Sequence, residues 1–277
     1  MRTKILYEDN EIMVIHKPSG IATHTSRVGQ ADVVSELKNY LAAKARKEAM
    51  ETGNGGAGQG AGKGKRPGFG QGAPFLGVVH RLDQPVEGLL VFAKTPEATA
   101  KLNDQLKEGI LNKEYFAVVC GKPTESEGQL VDYLLKEDTG SKVVSAGTEG
   151  AKKAVLDYYV VDSQNMGVGA MMSVGDELNK QVPVSLVRVY IFTGRYHQIR
   201  CQLSHLGHPL LGDVKYGNEL SMLMSRTLHV PATALCAYHL SLVHPTTGKE
   251  LSFTVSPENR AFTIFSNYFA ENLHTNM

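Results

Sequence analysis

His80-Arg81-Leu82-Asp83-Gln84-Pro85-Val86-Glu87-Gly88-Leu89-Leu90-Val91-Phe92-Ala93-Lys94 sets an unbroken apolar run, Leu89 to Ala93, between a cluster of charge and a Lys94-Thr95-Pro96 break. A short apolar run bounded by turn signals is the pattern of a strand buried on both faces. The polar loop that feeds it carries an acid, a base and a cation in Asp83, His80 and Arg81. Strands fix geometry and the loops at their ends carry chemistry, so Asp83 is the first candidate for a functional carboxylate. Taken alone, Arg81 and Asp83 read more readily as a surface ion pair ahead of a core strand.

On the N-terminal side, residues 4–17 alternate around Glu8-Asp9-Asn10-Glu11, which predicts two short strands joined by a polar turn and stopped at His16-Lys17-Pro18-Ser19-Gly20. A helix is expected over 33–47, with Val34, Leu37 and Leu41 at helical spacing and Asp32 as its N-cap. Residues 52–73 are Gly-rich, with Lys63, Lys65 and Arg66 as their only charges, a composition that predicts a mobile insertion. It is either inert or, with the basic residues from Lys44 onward, a flexible cationic arm.

On the C-terminal side, 97–110 reads as a helix stopped near Gly109, and 113–120 as a strand. Alternation on that strand puts Tyr115, Ala117 and Val119 on one face and Phe116, Val118 and Cys120 on the other. Strands follow at 154–161 and 184–192, with an irregular Gly- and Met-rich connection at 163–181. In Thr193-Gly194-Arg195-Tyr196-His197-Gln198-Ile199-Arg200 a glycine turn opens a short amphipathic helix, 197–206. Ile199, Leu203 and Leu206 form its apolar stripe, while His197, Arg200 and Ser204 share another, and Gly207 ends it. A hairpin is expected from 237–243 and 251–255. Strands outnumber helices and several join through short turns, so the fold class expected is α+β with a mixed, largely antiparallel sheet.

Composition narrows the field. The chain has 277 residues, 42% of them hydrophobic, and none of its apolar runs reaches the roughly 20 residues that cross a bilayer. Met1-Arg2-Thr3-Lys4 leads straight into Ile5-Leu6-Tyr7-Glu8-Asp9 with no apolar signal region expected, and Cys120, Cys201 and Cys236 lack the number and spacing of a disulfide framework or zinc site. The expectation is a cytoplasmic, reduced protein. Twenty-nine basic against 28 acidic residues give a net charge of +1, which neither announces nor excludes a nucleic-acid partner.

Together these segments resemble the RluA family of RNA pseudouridine synthases. His80-Arg81-Leu82-Asp83 with Gly88 to Lys94 looks like its catalytic motif, and His16-Lys17-Pro18-Ser19-Gly20 like its N-terminal motif. Lys113-Glu114-Tyr115 and Gly194-Arg195-Tyr196-His197-Gln198-Ile199-Arg200 match two more, and Gly207-His208-Pro209, Gly212-Asp213 and Tyr216-Gly217 match the segment that follows. The resemblance implies a single catalytic domain, without a separate N-terminal RNA-binding module, that isomerises a specific uridine to pseudouridine in structured ribosomal or transfer RNA. It implies base flipping, cleavage of the nitrogen–sugar bond, rotation of the base and reattachment through carbon 5. Asp83 would be the carboxylate that attacks the sugar or takes a proton from it, Arg200 its charged partner, and Tyr115 the ring stacked on the uracil. Arg81, His80, Lys17, Arg195 and His197 make up the expected RNA-binding and substrate-binding set. Within it, His80 would also brace its loop and His197 orient its helix, and Lys17 either contacts RNA backbone or lies on the surface. No metal, organic cofactor, membrane or obligate protein partner is implied, and His205, His208 and Asp213 form only a loose cluster.

One departure stands out. Family members usually carry hydroxyl residues where this chain has Val86-Glu87. Glu87 is expected to point to solvent at the strand's start; facing the pocket it would raise the pKa of Asp83. That departure also motivates the competing reading, an RNA-binding relative that keeps the pocket without turnover. A hydrolase built on Asp83 with Glu87 or a histidine–aspartate metal site is the third.

Overall fold

The computed structural model describes residues 1–25, 29–51, 74–167 and 181–273. The Gly-rich insertion at 52–73 and residues 168–180 of the expected irregular connection lie outside the described residues. Strands β1 (Lys4–Glu8) and β2 (Ile12–Lys17) open the chain, followed by α1 (Val33–Glu51), β3 (Gly77–Val78), β4 (Glu87–Ala93) and α2 (Pro96–Glu108). Then come β5 (Asn112–Cys120), β6 (Glu127–Lys136), β7 (Ser141–Val144), β8 (Lys152–Gly167) and β9 (Gln181–Ile191). Helices α3 (Gln198–His205) and α4 (Glu219–Thr227), strands β10 (Leu235–Val243) and β11 (Glu250–Thr254), a 3-10 turn (Arg260–Phe265) and α5 (Ser266–Asn272) complete it.

The strands form one sheet in the order β1-β2-β4-β10-β5-β9-β8-β6-β7, with β3 on β4 and β11 on β10. Pairing is antiparallel except where β10 meets β4 in parallel, so the expected α+β class with a mixed sheet holds. Alternation decides the layers. On β5, Tyr115, Ala117 and Val119 enter one core with Met13, Leu90, Phe92, Ile199 and Leu203, while Phe116, Val118 and Cys120 enter another with Met224, Phe262 and Phe265. Leu89, Val91 and Ala93 of β4 fill a third cluster under α2, so every residue of β4 is buried, as its apolar run predicts.

Several boundaries differ from the sequence reading. Asp32 does cap α1, accepting from Ser35 N–H at 2.7 Å, but the helix continues past Lys47 to Glu51. Lys44, the start of the postulated arm, is instead docked on Glu8 at 3.0 Å. Residues 163–167, read as irregular, extend β8. Strands β6 and β7 and helix α4 were not anticipated; β6 is largely solvent-facing and carries no apolar run strong enough to mark it.

The parallel joint is short: Cys236 pairs Glu87 and Ala237 pairs Gly88. Gly88 sits at φ +127°, and a Cβ there would land on the backbone of Ala237. Gly88→Ala should therefore lower unfolding stability by about 2–5 kcal/mol, combining backbone strain with overpacking. Urea denaturation checks this, and a loss below about 1 kcal/mol would show that the joint tolerates separation.

Candidate active site

A cleft of about 650 Å³ opens where the loop before β4, the start of β5 and the turn from β9 into α3 converge. Arg81, Asp83, Lys113, Tyr115, Arg195, His197 and Arg200 all line it. The loop is held by a buried pair of bonds: Thr23 Oγ1 donates to the Leu82 carbonyl at 2.9 Å and accepts from Leu82 N–H at 3.1 Å. Asp83 is thus fixed at the cleft with its side chain 20% exposed.

Arg200 is the hub. It is buried, and its NH1 donates to Asp83 Oδ2 at 2.9 Å, while Nε and NH2 grip Asp213 at 2.6 and 2.8 Å. Burial opposes the guanidinium charge, but the bonds to Asp213 and then Asp83 outweigh it and push its pKa upward. Asp213 is fully buried and also accepts the N–H groups of Lys215 and Tyr216 at 3.0 and 3.2 Å. Its role was missed in the sequence, where it was grouped with His205 and His208. Those two lie elsewhere: His205 pairs with Asp132 at 3.2 Å and His208 Nδ1 faces the Cys120 carbonyl at 3.2 Å. The nearby Gly212-Asp213 and Tyr216-Gly217 motif was the available signal.

His197 adopts a left-handed conformation at φ 54°, which aims its ring into the cleft. Its Nε2 lies 3.5 Å from Asp83 Oδ2, its Nδ1 3.0 Å from the Tyr216 hydroxyl, and Tyr196 stacks on it with centroids 3.9 Å apart. Burial lowers its pKa in spite of Asp83, so the ring is neutral at pH 7. It makes no capping bond to α3. The turn is pinned instead by Gln198, which accepts from Thr193 Oγ1 and Arg195 N–H at 2.8 and 3.0 Å and donates to the Val155 carbonyl at 3.1 Å.

Tyr115 forms a wall of the cleft, 5% exposed, its pKa raised by burial and then by Asp83, so the phenol stays neutral. Arg81 is exposed at the mouth. Arg195 is exposed too, its Nε donating to the Lys153 carbonyl at 2.9 Å. His80 is buried and braces the loop as expected, Nε2 accepting from Val91 N–H at 3.3 Å, and burial holds its pKa far below the usual range.

Two expectations are overturned. Lys17 neither reaches RNA nor lies on the surface. It is fully buried beneath the loop, and its Nζ donates to the carbonyls of Pro18, Ile21 and Gln84 at 3.0, 2.8 and 3.2 Å, with burial pulling its pKa down to about 7. Glu87 does not face solvent. It is 3% exposed, turned behind the cleft that Val86 lines, and its Oε1 accepts from the N–H groups of Glu258 and Asn259 at 3.1 and 2.9 Å. It therefore does not crowd Asp83. Burial raises its own pKa to about 7. Among the described residues, His16, Glu87 and Glu258 are the side chains of metal-ligand type that come together, with Glu258 exposed.

Residues 11–205 match the family model described as RNA pseudouridylate synthase. An uncharacterized RNA pseudouridine synthase of Bacillus subtilis (strain 168) is 30% identical over 266 residues, covering 95% of this chain and 72% of the relative. Ribosomal large subunit pseudouridine synthase D of Zymomonas mobilis is 30% identical over 253 residues, covering 90% and 68%. Among solved structures, human RNA pseudouridylate synthase domain containing 4 shares the fold with a TM-score of 0.62 at 22% identity, covering 94% of this chain and 92% of that one.

The geometry predicts two stability effects. Asp213→Asn strips Arg200 of its buried counter-charge and should cost about 3–5 kcal/mol in urea unfolding, whereas Lys107→Ala, which removes an exposed pair with Asp104, should leave the urea midpoint nearly unchanged. The folded-state pKa of Glu87, about 7, lies above the 4.5 of an ordinary glutamate in the unfolded chain, so its stabilising contribution is full below pH 4.5 and is lost as pH rises through 7. Glu87→Gln keeps an acceptor without the charge. It should be more stable than wild type at pH 8 by up to roughly 3 kcal/mol, the gap closing toward pH 5. An equal Tm difference at both pH values would show that Glu87 does not titrate there.

Proposed function

The chain belongs to the RNA pseudouridylate synthase family, and we propose that it converts a uridine of large-subunit ribosomal RNA to pseudouridine with Asp83 as its catalytic carboxylate. The observation that carries this reading is the Asp83–Arg200 contact at 2.9 Å on the wall of a cleft that also holds Tyr115. The target atoms of a stacked nucleotide are out of reach, so the uridine enters flipped out of the strand. Arg81, exposed at the mouth, takes the space it leaves.

Asp83 then acts on the ribose, by attack on C1′ or by removing a proton from the sugar, and the bond from N1 to C1′ breaks. Arg200 keeps the carboxylate oriented through this step. The detached uracil turns over while stacked on Tyr115, a contact worth about 1–3 kcal/mol. Carbon 5 rejoins C1′ as Asp83 leaves the sugar or returns the proton it took, and the proton lost from carbon 5 is balanced by one gained at nitrogen 1, so the reaction is an isomerisation. The neutral His197, 3.5 Å from Asp83, positions the acid. Arg195 meets RNA at the rim, and His80 acts indirectly by holding the loop. In this reading the chain works as one catalytic domain.

The ribosomal substrate is inferred from relatives that are named ribosomal large subunit pseudouridine synthases. The non-catalytic alternative rested on Val86-Glu87, and with Glu87 turned away from the cleft that substitution leaves the partners of Asp83 untouched.

Large-subunit ribosomal RNA and transfer RNA transcripts made with uridine tritiated at carbon 5 test the proposal. Tritium should be released from the ribosomal transcript, and Asp83→Asn should reduce release by at least about 10²–10⁴-fold with an unchanged Tm. Release from transfer RNA alone would move the substrate assignment, and release from neither would sink the activity.

A further inference from the structure

Lys113 is a cation inside the cleft that none of the steps above uses. It stands two residues before Tyr115 on β5, so the two side chains share a face, and both line the cleft. Among the described residues its ammonium makes no hydrogen bond or ion pair, and burial alone draws its pKa down to about 8. A desolvated cation without a counter-charge is costly, and such a group lining a cleft marks a place suited to an anion.

The neighbours leave that place open. The adjacent Glu114 turns to the other face, where its carboxylate accepts from the Tyr238 hydroxyl at 2.5 Å and lies 3.5 Å from His239. From β10 the residue opposite Lys113 is Leu240, and from the end of α2 the lining is Leu106 and Gly109. The loop before β4 contributes His80, Arg81 and Asp83, and the turn into α3 contributes Arg195, His197 and Arg200. His80 and His197 are neutral, and Asp83, the one carboxylate lining the cleft among the described residues, is taken by Arg200. Arg81, Lys113 and Arg195 therefore surround the cleft with positive charge that no acid lining it balances.

We propose that Lys113 binds a backbone phosphate of the RNA strand that carries the flipped uridine, anchoring that strand beside Tyr115. This rests on RNA being the substrate, and it assigns the anion contact of the cleft to a residue outside the Asp83–Arg200 pair. A phosphate beside Lys113 favours its protonated form, so binding takes up the proton that the free side chain sheds above pH 8.

RNA affinity measured on the Asp83→Asn protein, in which turnover is expected to be slowed, separates the possibilities. Lys113→Met should weaken binding several-fold at 0.1 M salt and lower the slope of log affinity against log salt by about 0.7–0.9, the signature of one lost phosphate contact. With Lys113 present, affinity should fall as pH rises from 8 to 9.5; with Lys113→Arg it should stay level, because guanidinium does not titrate there. An unchanged salt slope in Lys113→Met overturns the proposal, including the case where only kcat falls, which would mark a contact to the uncharged base. A pH profile shared by Lys113 and Lys113→Arg overturns it too. If RNA fails to bind with Lys113 intact, the substrate reading falls with it.

Discussion

The site depends on one guanidinium held between two carboxylates. Asp213 takes Nε and NH2 of Arg200 in a fork and leaves NH1 for Asp83. The two acids are not equivalent. Asp213 is fully buried and accepts backbone N–H groups as well, so its valences are spent on structure. Asp83 is partly exposed and keeps one oxygen outside the Arg200 contact. A fork also fixes the plane of the guanidinium, so the third donor arrives at Asp83 with its direction already set. The arrangement is costly to bury and is retained for geometry more than for stability.

That geometry needs the sheet. Asp83 precedes β4, Tyr115 lies on β5 and Arg200 rides α3, and β4 and β5 are not neighbours; β10 lies between them. Beneath the loop, Lys17 gathers three carbonyls, one of them that of Gln84 beside Asp83. Behind the loop, Glu87 gathers two N–H groups from the segment after β11. These two buried side chains serve as fasteners that hold the Asp83 loop from two sides, and neither lines the cleft.

Residues governed by local pattern were legible in the sequence. Alternation sorted Tyr115 and Phe116 onto opposite faces, and the apolar run of β4 declared its own burial. Asp83, Tyr115 and Arg200 became a group only through ordered motif resemblance, since they come from separate elements. Lys17 and Glu87 were misread because charge ordinarily signals exposure, and what makes their burial tolerable lies far along the chain. The Gln84 carbonyl is 67 residues from Lys17, and the Glu258 N–H is 171 residues from Glu87. Asp213 was obscured likewise, because a fork to Arg200 depends on the path of the intervening turn. Strands β6 and β7 escaped because a half-exposed strand pairs through its backbone and leaves little hydrophobic trace.

The parallel joint between β4 and β10 has a consequence for synthesis. A nascent chain emerges N-terminus first, and β10 is the strand that separates β4 from β5 and fills the space between them. Until residues 235–243 leave the ribosome, the strand that joins β4 to β5 in the sheet is missing, and the sheet does not connect Asp83 to Tyr115. The fastening of Glu87 waits longer still, for Glu258 and Asn259. Such late, long-range closure is slow, and a chain released early would carry Asp83, Tyr115 and Arg200 without the strand that sets β4 and β5 in one sheet.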